Sequence, residues 1–324
     1  MSAITQSSPK LQLQQSRALP VRSLWADAWY RLLKNRLAVA GLVVIAIFLF
    51  LALFGRFFTP YDFLAQDLTS QLQPPSAAHW LGTDALGRDI LSRLLYGART
   101  AAIVAFTTTT ISLLLGVLIG TCAGFLGGRT DGFLMWLTDV TMSIPSLLMA
   151  MLINTALKRP IISWFDQLYM QTKNPFFLNT LWLDFVLVFG ALALISWPGY
   201  ARLIRGQVLS ITETTYVESA RAVGASTMRI MLRHIVPNAM GPLIVAVTAG
   251  MGGAIVLESS LSFLGVGIQP PNASWGSMLS ESLSMWRTFP HLMVTPAVTI
   301  GLILVAFTFF GDGLNDALNP RQSD

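Results

Sequence analysis

Two carboxylates stand inside or at the edge of long apolar runs: Asp139, within 136–145, and Glu258, within 256–260. A charge at bilayer depth is costly and faces protein or water, so each is a candidate pathway residue. Each also has a structural reading, Asp139 paired with an arginine near the membrane surface and Glu258 simply at the interface. Neither belongs to a proton relay, because no Lys, Arg or His interrupts the apolar runs. His79, His234 and His291 are far apart and form no metal-binding pair, and Cys122 stands alone. None of the lysines (Lys10, Lys34, Lys158, Lys173) follows a glycine, so the chain has no phosphate loop of the G-x-x-x-x-G-K type. No G-x-S-x-G nucleophile elbow occurs either. No catalytic, cofactor-binding or metal-ligating set is therefore expected.

The elements that hold these residues are apolar. Of 324 residues, 53% are hydrophobic and only 11% charged, against roughly 25% charged in a soluble domain. So few ionisable groups cannot cover a soluble surface of this size, and the chain reads as an all-α integral membrane protein. Six runs approach the roughly 20 apolar residues that a crossing needs: 37–55, 100–128, 132–157, 185–201, 235–257 and 292–310. Residues 1–36 are polar and then basic, without the early apolar stretch and cleavage site of a secretory signal. Six crossings place both termini on one side. Loops on that side hold 13 of the 21 Lys and Arg, and the other side holds 8, including Arg56, Arg88, Arg93 and Arg99. The charge bias puts both termini in the cytoplasm. It also accounts for the net charge of +5 without nucleic acid. The expected layout is a cytoplasmic segment 1–36, a first helix with its outer loop at 37–99, a permeating core at 100–312 and a cytoplasmic tail at 313–324. Gly116, Gly120, Gly124 and Gly128, four apart in the second run, make a face that another backbone can approach closely. Ala246, Gly250 and Ala254 repeat the pattern more loosely in the fifth.

One hydrophilic segment, 212–237, is organised. Thr215 followed by Glu218 fits a capping box, so a helix is expected to start there. Tyr216, Ala220 and Val223 fall on one face, with Glu218 and Arg221 on the other flank. Gly224 stands where a helix end favours positive φ. Ser226 can cap a second helix carrying Arg229 and Arg233, and Pro237 marks the start of the next crossing. Helix, glycine break and second helix make a peg for a partner's groove. The competing reading is a membrane-surface helix, for which Ala220, Ala222 and Ala225 offer little bulk to bury.

Glu218-Ser219-Ala220, then Gly224 and Pro237 at this spacing, resemble the EAA loop of ABC importer permeases. That pattern is Glu-Ala-Ala, three residues, Gly, nine residues, Ile-x-Leu-Pro. Here Ser219 replaces the middle alanine, His234 the isoleucine and Val236 the leucine. Segments 81–99, 197–208, 262–271 and 311–321 resemble, in order, motifs of the C-type permease of oligopeptide, dipeptide and nickel importers. The resemblance covers nearly the whole chain. It implies a six-helix, type I importer permease fold with a cytoplasmic coupling helix, whose docking residues are Glu218, Ser219, Ala220, Arg221, Gly224, Ala225 and Pro237. It implies a bacterial inner-membrane subunit working with a homologous second permease, an extracytoplasmic binding protein and two ABC ATPase subunits that hold ATP and magnesium. Peptides are the expected cargo, with nickel or a nickel chelate as the alternative. The stretch 158–184, with Trp164, Tyr169, Phe176 and Phe177, is longer and more aromatic than is usual in this branch. It is expected to be an outer loop, its aromatics at the membrane interface or against a binding protein. An ion-driven transporter would show inverted repeats or intramembrane ion ligands. An accessory membrane protein would leave the peg unexplained.

Overall fold

The structure is a computed structural model and describes residues 24–177 and 181–318. Among these residues the regular elements are helices, with one isolated bridge between Thr83 and Asp89. A short amphipathic helix, α1 (Leu24–Lys34), lies in the basic part of the 1–36 segment. Its Ala28 and Leu32 are buried with Ala38 and Ala317. Asn35 then caps α2 (Arg36–Phe54), its side-chain oxygen accepting from the amides of Leu37 at 3.1 Å and Ala38 at 3.2 Å.

Helix α3 (Ile90–Leu126) starts well before the expected run at 100, inside what the sequence suggested was outer loop. Asp89 sets that start, its carboxylate accepting from the Ser92 amide and hydroxyl, both at 2.8 Å. At 1.5 Å per residue its 37 residues reach about 55 Å. That exceeds a hydrocarbon core of roughly 30 Å, so the first turns stand clear of the bilayer.

The third expected crossing, 132–157, is not one helix. It is a pair, α4 (Gly128–Ser143) and α5 (Ser146–Thr172), bent by 89°. Pro145 has no amide hydrogen and disfavours helical dihedrals in the residue before it. Ile144 accordingly sits at φ −95, ψ 131. Both halves still run along α6 (Leu181–Thr212). The pairs Asp131–Arg205, Asp139–Arg202 and Lys158–Asp184 link them to it in opposite chain order. Counted as one broken crossing, the pair joins five long apolar helices to make six.

Because α5 continues to Thr172, most of the supposed outer loop 158–184 is helical. Phe165 packs among Phe177 and Trp182 with ring centroids 5.6 and 5.5 Å away, and the Lys158–Asp184 pair at 2.7 Å braces the base. Phe165 is buried among these rings, while Trp164 and Phe176 stay 55% and 58% exposed. The remaining long elements are α10 (Met240–Phe263) and α12 (Pro290–Leu318), treated with the segments beside them below. Helix α12 runs into the expected tail at 313–324, of which 319–324, like 1–23, lie outside the described residues.

The glycine face of α3 is used inside the chain. A Cβ on Gly120 would sit 2.9 Å from Cγ2 of Ile204 and collide with the Ala201 carbonyl; one on Gly124 would sit 2.9 Å from Val208. Gly116 abuts Tyr200 and the Trp197 carbonyl in the same way. Gly128 does not share this face. Helix α3 ends at Leu126, the four-residue register is lost, and nothing lies within 4 Å of a Cβ placed there. Gly120→Leu is therefore expected to hold α3 and α6 apart, at the ~1–3 kcal/mol cost of an overpacked core or more. The chain should become protease-sensitive even when expressed without partners. Wild-type resistance in that assay would show that the α3–α6 contact is dispensable.

Candidate functional site

The segment between α6 and α10 is held by buried Val217, Ile230, Met231, Ile235 and Ala239, of which Val217 alone belongs to its first helix. Helix α7 (Thr215–Ala222) begins after Thr214, which has extended dihedrals of φ −82, ψ 146. The expected capping box at Thr215 and Glu218 does not form. Thr214 is the capping residue, and its hydroxyl donates back to the Ile211 carbonyl at 2.6 Å instead of accepting from the helix. The buried face also differs from expectation. Val217 is 0% exposed and packs with Ile211, Ala220, Ala225, Ile230 and Ile235, while Tyr216 and Val223 are 43% and 89% exposed.

Gly224 ends the helix with φ +83. Its amide donates to the Arg221 carbonyl at 2.9 Å and the Ala225 amide to the Ala220 carbonyl at 3.0 Å. This pair of bonds is a Schellman cap, which satisfies the last carbonyls and requires a left-handed residue at the glycine. The Arg221 guanidinium lies 5.2 Å over the Phe125 ring, tying α7 to the end of α3.

A continuous second helix is not found. Ser226 precedes a single turn, α8 (Thr227–Ile230), without a side-chain cap; a π-helical turn spans Met231–Ile235, followed by α9 (Val236–Asn238). Pro237 explains the break, because it has no amide to offer the carbonyl one turn back, and a widened turn accommodates the gap. The Asn238 side chain then donates to the His234 carbonyl at 2.6 Å. Helix α10 follows.

Of the residues singled out by sequence, Glu218, Ser219, Arg221, Gly224 and Pro237 are exposed, and Ala220 and Ala225 are half-buried. The same segment exposes the apolar side chains of Tyr216, Val223, Met228 and Leu232, the last two 61% and 63% exposed. Arg229 and Arg233 border them.

The two acids of the apolar runs have different surroundings. Asp139 is exposed and pairs with Arg202, beside the two-pronged contact of Arg205 with Asp131 at 2.5 and 2.6 Å. Glu258 is not at an open interface but buried in α10, 1% exposed. Its carboxylate accepts from the Ser262 hydroxyl at 2.6 Å, and Ser262 in turn accepts from the Ile268 amide at 2.9 Å. Glu258 thereby fastens the end of α10 to the turn beyond it.

Two features escaped the sequence. Asp84 accepts from Arg88 and Arg93, both at 2.6 Å, and Glu281 from the same arginines at 2.6 and 2.7 Å. Glu281 lies on α11 (Trp275–Ser282), which Ser274 caps and whose Trp275 indole donates to the Leu94 carbonyl at 2.9 Å. Alternating acids and arginines were visible in 84–93, but nothing local pointed to Glu281. The second feature is a cleft of about 310 Å³ between α3, α6 and α10, lined by Thr108, Thr109, Ser112, Ser196 and Tyr200. Among the described residues the buried Thr108 hydroxyl has no hydrogen-bond partner, and no group of three or more His, Cys, Asp or Glu is placed to hold a metal ion.

Residues 112–324 match the family described as the inner membrane component of binding-protein-dependent transport systems. The chain belongs to that family. Residues 23–75 also match the N-terminal transmembrane domain of oligopeptide transport permease C. This permease is 40% identical over 308 residues to the dipeptide transport system permease protein DppC of Bacillus subtilis, covering 93% of this chain and 87% of that one. It is 37% identical over 299 residues to the oligopeptide transport system permease protein OppC of the same organism, covering 92% and 90%. The glutathione transport system permease protein GsiD of Pectobacterium atrosepticum is 34% identical over 302 residues, covering 93% and 92%. The permease is thus a multi-pass membrane subunit of a transport system.

Proposed function

We propose that this permease forms half of the membrane pathway of an ATP-driven importer of peptides, paired with a homologous second permease. An extracytoplasmic binding protein delivers cargo on one face. On the other, two ATPase subunits bearing ATP and magnesium receive the 212–237 segment in a groove. The observation that carries this reading is the solvent exposure of four apolar side chains, Tyr216, Val223, Met228 and Leu232, on a capped helix-and-turn peg. Water-exposed apolar side chains on a rigid support mark an interaction surface. ATP-driven closure of the partner would move the peg and bias the pathway between two states, which requires no chemistry in this chain. Both termini lie in the cytoplasm in this scheme, and the hydroxyl-lined cleft at Thr108, Ser112 and Ser196 contributes to the wall along which cargo passes. The relatives' dipeptide and oligopeptide names favour peptide over nickel.

The test is reconstitution of the complete transporter in proteoliposomes with its binding protein. Uptake of a dipeptide or oligopeptide, ATP-dependent and absent without the binding protein, is the expected result; nickel uptake with no peptide uptake would overturn the cargo. Orientation is checked separately in a chain whose Cys122 has been replaced. Trp164→Cys should label with an impermeant thiol reagent from outside intact cells, and Ser226→Cys should not. The reverse pattern would remove the peg from the ATPase side.

A further inference from the structure

The four arginines of the first outer segment, 56–99, separate into two kinds. Arg88 and Arg93 are neutralised by Asp84 and Glu281. Arg56 and Arg99 are exposed, and among the described residues neither has a carboxylate at ion-pair distance. Each stands at a boundary of an apolar run, Arg56 just after α2 and Arg99 just before the uninterrupted apolar part of α3. Although 43 positions apart, they line the same cavity of about 1120 Å³ between these two helices. That volume is at the upper end of the roughly 300–1,000 Å³ typical of small-molecule pockets.

The cavity is amphipathic along its depth. Its rim carries Arg56, Arg99, Tyr61 and the single carboxylate of Asp62, so the rim is cationic by one charge. Its floor is Leu49, Leu53, Ile103 and Phe106. Leu53, Ile103 and Phe106 are 72%, 41% and 46% exposed, so the floor opens sideways toward the bilayer and is not sealed inside the protein. From Arg99 to Phe106 the helix descends about 10 Å, enough for the upper part of an acyl chain. Phe63 stacks on Tyr96 with centroids 3.6 Å apart and stiffens the rim. Guanidinium groups bind phosphate through paired hydrogen bonds, and an unpaired arginine at this depth extends its head to the headgroup layer.

We propose that this groove holds a glycerophospholipid, its phosphate between Arg56 and Arg99 and an acyl chain along Leu53, Ile103 and Phe106. The bound lipid is a structural ligand that fills the gap between α2 and α3. The inference needs only membrane insertion and stands whatever the cargo. A peptide is disfavoured, because beside Leu49, Leu53, Ile103 and Phe106 the floor offers its backbone only the Thr107 hydroxyl.

The test uses the assembled transporter in vesicles of phosphatidylethanolamine and phosphatidylglycerol, with a phosphatidylglycerol bearing a photoreactive group on its acyl chain. In the wild type the label should map to 49–53 and 99–107. Arg56→Gln with Arg99→Gln should cut that labelling at least tenfold. Ile103→Trp, which fills the floor and keeps both arginines, should cut it similarly in a complex that still elutes as one species. Unchanged labelling in either variant overturns the proposal. So does a photoreactive residue at position 103 that captures the second permease instead of lipid, which would make the groove a protein interface. If the arginine variant fails to assemble, Ile103→Trp decides alone. Peptide uptake is measured in parallel, so failure here is distinguishable from failure of the transport function.

Discussion

Gly224→Asp is expected to leave the protein in the membrane while abolishing most uptake and the response of ATP hydrolysis to loaded binding protein. The Schellman cap needs φ near the observed +83, and a side chain there costs about 1–2 kcal/mol of backbone strain. In this chain a Cβ on Gly224 meets nothing within 4 Å, so the six crossings have no reason to collapse. The damage is local. Helix α7 has eight residues and one fully buried anchor, Val217, so a strained cap readily changes its angle. The aspartate also adds charge beside Val223, one of the exposed apolar side chains. Gly224→Ala carries the strain without the charge and should be intermediate. Loss of protein from the membrane would make Gly224 a folding determinant, and wild-type coupling would show that the peg does not transmit closure.

Arg93→Met is the second large effect, and it acts on the opposite side of the fold. The Arg93 side chain is 4% exposed and contacts Asp84, 11% exposed, and Glu281, 33% exposed. Removing one partner of a buried pair costs roughly 3–5 kcal/mol, because the remaining charge is left uncompensated. The exposure of Glu281 places the expected loss at the lower end of that range. The purified transporter should melt several degrees lower than an Arg159→Met control, Arg159 being exposed. Adding Asp84→Asn should recover part of the loss, since Arg88 is then left facing one carboxylate, Glu281, instead of two. A melting temperature equal to the control would mean that α11 is held by Trp275 and its capping serines alone.

The crossings were legible because composition and run length are local. The peg was legible because its glycine and proline stand at fixed spacing. Its inner face was not. Helical periodicity groups Tyr216, Ala220 and Val223 as readily as it groups Val217 with Ala220, and only the position of Ile230 and Ile235 across the turn decides which face is buried. The bend at Pro145 was missed because apolarity continues through it, although the proline itself was the signal. The early start of α3 was hidden by Arg93 and Arg99, which read as loop until Asp84 and Glu281 are seen to hold one of them. Glu258 read as interfacial because its serine partners at 259 and 262 do not look like burial in a sequence. The π-helical turn follows from Pro237, but its width depends on how α10 docks, which no local pattern encodes.

The most direct measurement of the central claim is a photocrosslink from position 223, the most exposed large apolar residue of the peg at 89%. A photoreactive amino acid placed there, in cells expressing the complete transporter, should capture the ATPase subunit, and capture should change when ATP is bound. The same probe at position 80, where Trp80 is 70% exposed on the loop before α3, should capture no ATPase. An ATPase adduct from position 80 and none from position 223 would contradict the account.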